Sequence, residues 1–382
     1  MKRNLITIML FAIAITANAQ VEELLSNIKK EKAPDSRTAI WEIKSELKGD
    51  VYNINGKVDN ANTKDAIIET LKKNNIKFAD NITVLPVNMD KTWALVSLPI
   101  AHLRTNPDHS AELTSQALMG TPIRILEKDD YWYRVQTPDN YISWVTSGSI
   151  SRITDAEFNQ WRKDKRYIVT AKSSELISKP GMTNDIVSDL VLGDILIYKG
   201  FKDGILIKLA TPDGREGYAK ITDVKELSHW ADQSFNPSLI EKTARNLMGS
   251  TYTWGGTSTK GVDCSGLSKT CYFANGIILQ RDASQQTLYG TKLGAKEWEQ
   301  AQKGDLLFFG SATGLVTHVA IYLSDFNYIH SSGRVKINSL KPLELDYLTT
   351  PFLSISRIAG NVDKKGIVSV KKHPWYFLST QK

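Results

Sequence analysis

The chain has 382 residues, 41% of them hydrophobic and 23% charged, with a formal net charge of +7 and two cysteines. At roughly 150 residues per domain this is two to three domains with real cores, which excludes a disordered or collagen-like chain. Two cysteines exclude a disulfide scaffold and an all-cysteine zinc module. The dispersed positive charge suits a negatively charged polymer, and no basic run interleaved with aromatics points to a nucleic-acid groove.

Residues 1–19 read as an export signal. Lys2 and Arg3 form a basic start, Leu5 to Ile15 is an apolar or hydroxyl-bearing stretch, and Ala17-Asn18-Ala19 supplies the small-residue cleavage pattern, so the mature chain is predicted to begin at Gln20. Eleven helical residues rise about 16 Å against a hydrocarbon core of about 30 Å, too short to span a membrane. No cysteine follows the cleavage site to carry a lipid anchor, and no later stretch reaches 18 apolar residues, so no membrane association is expected after cleavage. The signal takes two positive charges with it and leaves a mature chain near +5.

Residues 20–93 read as a mixed α/β extension. Ile40 to Leu47 looks helical, Val51 to Asn55 alternates as a strand does, and Thr63 is a candidate cap for a helix over Ala66 to Lys73. No chemistry is evident there.

An internal repeat follows. Thr137-Pro138-Asp139 recurs as Thr211-Pro212-Asp213, preceded at similar distance by Gly120 and Gly193 and followed by Trp144 and Tyr218. Short β-type runs (Ile123 to Leu126, Trp132 to Val135; Ile195 to Tyr198, Ile205 to Lys208) are broken by Gly, Pro and Asp turns. Two tandem small β-barrels are predicted, over 94–153 and 166–227.

From 236 to 360 the pattern becomes α+β. Ser238-Leu239-Ile240-Glu241 is a capping box for a helix closed by Gly249, and a second helix is expected from Cys264 to about Ala274, ended by Asn275-Gly276. Strands are predicted at Leu306 to Phe309, His318 to Leu323, Tyr328 to His330 and Phe352 to Ile355. Residues 361–382 form a tail with no assigned role.

The chemistry centres on Cys264, which follows the glycine-rich Trp254-Gly255-Gly256 loop and opens a helix. A thiol attacks as thiolate, and a helix N-terminus beside a histidine lowers its pKa, while first-turn N–H groups can bind an oxyanion. Asp263 is a good N-cap whose charge opposes thiolate formation, so pairing with histidine is expected to decide ionisation. Cys271, two helical turns on at about 10.5 Å, is beyond disulfide reach and reads as core. Of the six histidines, His318 and His330 fall on two successive strands that can bring both imidazoles to one end of a sheet, one as base and the other holding its tautomer. With no HExxH and no CxxC, no metal site and no cofactor are expected.

The runs Tyr252-Thr253-Trp254-Gly255-Gly256, Asp263-Cys264-Ser265-Gly266-Leu267, Arg281 to Gln286, Gly304 to Phe309, Thr317 to Tyr322 and Ile329-His330 resemble, in order and spacing, the NlpC-type, papain-like cell-wall cysteine peptidases over about 236–358. Two SH3-like barrels ahead of such a domain resemble the YkfC-like subgroup, the dipeptidyl-peptidase VI type. The resemblance implies hydrolysis of the bond between γ-D-glutamate and lysine or meso-diaminopimelate in peptidoglycan-derived peptides (muropeptides) with a free N-terminal L-Ala. Cys264 is then the nucleophile, His318 the base and His330 its orienting partner. By the same resemblance Asp263 accepts the substrate ammonium, helped by Tyr141 and Glu112 of the first barrel. Tyr252, Ser265, Asp282 and Ser284 line the pocket. Ser143-Trp144-Val145 stands where the family has glycine-tryptophan-valine, and Ala283 where it often has a hydroxyl.

Each residue has a plainer reading: Asp263 and Ser284 as helix caps, Tyr252 and Tyr141 as half-buried aromatics, Glu112 as surface charge. Two other functions fit the same sequence, a DL-endopeptidase or amidase on intact wall with the barrels as anchors, and an inactive wall-binding module. An exported, periplasmic or secreted, enzyme is expected.

Overall fold

The computed structural model describes residues 18–179, 185–341 and 347–378, so most of the export segment lies outside the described residues. The chain forms two units, one ending at Asp90 and one beginning at Lys91. In the first, a helix over 18–32 and the Ala61–Lys73 helix cover a three-stranded sheet. Lys44–Lys48 runs antiparallel to Val51–Val58, which pairs in parallel with Phe78–Val84. Val21, Leu25, Ile54, Val58, Ile67 and Leu71 make its core. Asn60 caps the second helix by accepting the N–H of Thr63 at 3.0 Å, so the helix starts earlier than expected from Thr63.

The predicted helix over Ile40 to Leu47 is not formed; the segment is extended, with Trp41 bridging to Val58 and a strand from Lys44. Ile43 and Leu47 are spaced by four, which fits a helix face and equally the alternate positions of a strand. The neighbours Glu42, Lys44, Glu46 and Lys48 are all exposed, and that alternation decides for the strand.

The second unit opens with two antiparallel seven-stranded barrels. In the first the strands run Trp93–Val96, Ile100–Arg104, Leu113–Leu118, Pro122–Asp129, Trp132–Gln136, Ile142–Thr146 and Ile150–Ile153. The second contains Arg166–Val169, Ser173–Ile177, Ile186–Val191, Ile195–Lys202, Leu206–Ala210, Glu216–Lys220 and Val224–Glu226. Numbered within each barrel, both pair in the same order, seventh, first, fourth, fifth, sixth, second, third. The Thr-Pro-Asp segments form matching turns: Thr137 N–H bonds to Tyr141 O at 2.9 Å and Thr211 N–H to Arg215 O at 3.0 Å. A helix over Asp155–Lys163, closed at its start by a Thr154/Glu157 capping box, joins the two.

The last part is α+β. The Pro237–Asn246 helix starts one residue before Ser238, because Asn236 caps it and Pro237 takes the first-turn position where a missing N–H is harmless. The Cys264–Phe273 helix packs on a six-stranded antiparallel sheet ordered Thr291–Gly294, Phe352–Arg357, Leu306–Gly310, Val316–Ser324, Asn327–Ser332, Arg334–Ser339. Between them Ile240, Leu267, Cys271, Tyr272, Phe308, Val319 and Ile321 form the core. Cys271 is fully buried, as expected of a core thiol.

The tail, for which the residue pattern predicts no element, carries a strand within its described residues. Ile367–Ser369 pairs with Ile277–Leu279, and the chain then crosses to the barrels, where Trp375 meets Trp93 edge-on at 5.0 Å, and Arg162 of the joining helix and Arg166 of the second barrel donate to the carbonyls of Pro374 and Tyr376. No helix among the described residues is long and apolar enough to cross a membrane.

Candidate active site

Asp263 starts the Cys264–Phe273 helix, its Oδ1 accepting the N–H of Gly266 at 2.7 Å. Its Oδ2 accepts the N–H of Gly255 at 3.0 Å, which ties the Tyr252–Gly256 loop to the helix start. Two glycines permit this approach. A Cβ on Gly266 would fall 1.9 Å from the Gly256 carbonyl oxygen, and one on Gly255, at φ +78°, 2.3 Å from the carbonyl oxygen of Leu113 in the first barrel.

Cys264 is half-buried and unbridged. The N–H groups of Val319 and Ser265 point at its sulfur, so the thiol meets the Val316–Ser324 strand at the residue next to His318. His318 Nε2 lies 2.8 Å from His330 Nδ1, the rings edge-on at 85°, and Asn338 on the neighbouring strand lies by the His330 ring without an aligned hydrogen bond to its buried Nε2. The two imidazoles do share one end of the sheet.

The protonation states differ from the expected thiolate. Burial and the Asp263 charge push the Cys264 thiol up to about 11, against the pull of the two N–H groups and Arg281. Burial, the other imidazole and Lys336 drive His318 down to about 3. Burial likewise takes His330 to about 4, Asn338 pulling it back up and Lys336 adding to the fall. Burial therefore disfavours both the thiolate and the imidazolium in the free enzyme.

Around the thiol, Tyr252 is half-buried, its phenol pushed up to about 12 by burial and by the neighbouring Cys264 and Asp263. Ser265 is buried, with Oγ 3.3 Å from Asp263 Oδ1 and accepting Arg281 Nη1 at 2.9 Å. Arg281 also grips Asp263 with both arms, at 3.2 and 2.5 Å, while only 1% exposed. Asp282 stands 3.9 Å from the same guanidinium and starts the short Ala283–Gln286 helix, in which Ser284 is half-buried. Tyr141, from the first barrel, is buried and near enough to Arg281 for its phenol to act on the guanidinium electrostatically. Glu112, also from that barrel, is exposed and accepts Trp254 Nε1 at 2.6 Å. Gln116 adds two bonds to Thr257, at 3.0 and 2.9 Å.

Residue reasoning missed Arg281, Asn338 and Trp254 as site components. Arg281 carries a signal in hindsight: a cation beside an acid at the start of a short helix needs a partner if buried. Asn338 carries none.

A thiol at a helix start, facing a strand that bears one of two coupled imidazoles, is the arrangement of a papain-like cysteine peptidase. The pattern of the NlpC/P60 family matches residues 249–357, and that of the bacterial dipeptidyl-peptidase SH3 domain matches 103–150. The chain is 30% identical to the dipeptidyl-peptidase 6 of Lysinibacillus sphaericus over 69% of this chain and 99% of that one. It is 28% identical to a γ-D-glutamyl-L-lysine dipeptidyl-peptidase of Bacillus cereus over 61% and 71%. A solved NlpC/P60 family protein from Bacillus cereus ATCC 10987 shares the fold, with a TM-score of 0.60 at 23% identity over 69% of this chain and 99% of that one. The chain belongs to the NlpC/P60 family, and it is a peptidase.

Proposed function

We propose that the protein cleaves the γ-D-glutamyl bond to lysine or meso-diaminopimelate in peptidoglycan-derived peptides whose N-terminal L-Ala amine is free, releasing L-Ala-γ-D-Glu. The relatives' names support the bond, and one observation carries the free-amine requirement: Glu112 and Tyr141 of the first barrel reach the same loop and ion cluster as Asp263. Arg281 faces two carboxylates, Asp263 and Asp282, so the cluster keeps one net negative charge, and Glu112 adds a second. That is an ammonium site within a basic chain. An N-blocked substrate would lose the charge-assisted hydrogen bonds that its ammonium makes to this cluster, about 1.5–3 kcal/mol.

In the mechanism Cys264 Sγ attacks the γ-carbonyl carbon while His318 takes the thiol proton. With Nδ1 of His318 toward the sulfur, its Nε2–H donates to His330 Nδ1, which leaves the proton of His330 on its buried Nε2. Tyr252, kept protonated by burial, is the donor for the developing oxyanion. Collapse expels the diamino acid amine, which takes the proton from His318. Water then attacks the thioester with His318 as base, restoring the thiol.

The test is cleavage of L-Ala-γ-D-Glu-L-Lys against its N-acetylated form, with Cys264→Ala as a folded, inactive control. Cleavage of the free peptide alone is expected. Equal cleavage of both would favour an endopeptidase on intact wall, and binding without cleavage an inactive module; either overturns the proposal. Export to the periplasm or beyond belongs to the same reading, supported by Lys2, Arg3 and the Ala17-Asn18-Ala19 pattern. N-terminal sequencing of protein made with its full leader should start at Gln20, and an intact Met1 would remove export.

A further inference from the structure

The two barrels share the Thr-Pro-Asp turn but use it differently. In both, the Thr hydroxyl donates to the Asp carboxylate at 2.5 Å. In the second barrel Asp213 is partly exposed and pairs with Arg215 of its own turn at 2.9 Å. In the first, Asp139 is 2% exposed, and its carboxylate meets the ammonium of Lys269 on the Cys264–Phe273 helix. From the other side His373 of the tail donates Nε2–H to the Pro138 carbonyl at 2.9 Å; its Nδ1 accepts the N–H of Trp375 at 3.2 Å, which places the proton on Nε2. Tyr141 is two residues beyond Asp139, and its phenol is within electrostatic reach of Arg281.

We infer that the Asp139–Lys269 ion pair, backed by His373, is a positioning device for substrate selection: it locks the Tyr141-bearing turn of the first barrel to the helix that carries Cys264. The inference rests on the proposed recognition of a free amine between barrel and Asp263. A buried ion pair is a poor source of stability compared with well-packed apolar side chains, and its clearest use is to fix one geometry. Here it fixes the distance between groups on different domains that must act on one substrate, and such placement controls affinity steeply. Lys269 follows Cys264 by five residues on one helix, so the nucleophile and the turn are joined through a single side-chain pair. The matching pair in the second barrel closes its own turn and reaches Ser97 of the first barrel through Arg215 at 2.8 Å, but makes no bond to the Cys264–Phe273 helix, which makes it an internal control for that link.

The experiment uses the full mature chain and four variants. Asp139→Asn with Lys269→Met removes both charges without orphaning either, Lys269→Arg keeps the pair, Asp213→Asn alters the second barrel, and His373→Leu removes only the bond to Pro138. A cavity of about 60 Å³ beside the pair gives the arginine room. The readouts are KM and kcat on L-Ala-γ-D-Glu-L-Lys, the ratio of free to N-acetylated cleavage, and the rate of Cys264 alkylation by iodoacetamide. For the double variant KM should rise about tenfold, the size of one hydrogen bond to a charged group, with discrimination falling in step and kcat and alkylation near wild type. Lys269→Arg should restore most of the loss, and Asp213→Asn should behave as wild type. Should the double variant fail to fold, His373→Leu is expected to raise KM in the same direction by less. A discriminating wild type with unchanged KM and ratio in the folded variants overturns the inference alone. Wild type cleaving both substrates equally overturns the functional reading and the inference together. A parallel fall of kcat and alkylation assigns the pair to general folding and also overturns it.

Discussion

Gly255, Gly266, Ser265 and Arg281 all donate to Asp263, so this one carboxylate is helix cap, loop tie and ion-pair partner together. The cap was legible, since an acid before a helix start needs only local geometry. The pairing with Arg281, 18 residues on, depends on the fold bringing the two inside and was not. The same burial sets the pH response. As the proposed base His318 must be neutral to accept the thiol proton, and burial drives its pKa down to about 3, so the acid limb of kcat/KM is expected below that of an ordinary imidazole. Activity measured against a pH-stable substrate should be level from pH 7 to pH 5, where a pKa of about 6.5 would already remove more than about nine-tenths of it. A midpoint near 6.5 would mean a wetter, chargeable histidine. Because folding favours the neutral form of both imidazoles, their contribution to stability is full above about 6.5 and is lost as the pH falls toward their folded values.

The elements that carry His318 and His330 were readable because each is a short apolar run bounded by turn residues. The Ile40 to Leu47 segment was not, since two apolar residues spaced by four satisfy helix and strand alike. The tail failed for a different reason: Ile367–Ser369 is too short to show a period, and its strand exists only because Ile277–Leu279 offers an edge. Its last residues carry more weight than their number, with Tyr376 buried among Trp161, Ile168 and Leu227 and Trp375 against the same cluster. Ending the chain after Asn361 should therefore lower the melting temperature by several degrees, consistent with the 2–5 kcal/mol or so typical of losing one large buried aromatic. An unchanged melting temperature would show the tail to be a surface passenger.

Across the whole chain, the repeat was visible because its turn uses Thr and Asp side chains to close the backbone, and such residues persist in sequence where β-type runs blur. The docking of the first barrel was expected through the family resemblance alone. Glu112 and Trp254, or Gln116 and Thr257, lie more than 140 residues apart, and nothing in either segment names the other. Both barrels have the same strand order, yet the turn of one is bound to the Cys264–Phe273 helix and that of the other, through Arg215, to Ser97 of the first barrel. The division of labour has an evolutionary corollary. On the proposed reading, chemistry resides in one module and the choice of peptide terminus in another, so grafting a foreign first barrel should retune selectivity while sparing the catalytic engine.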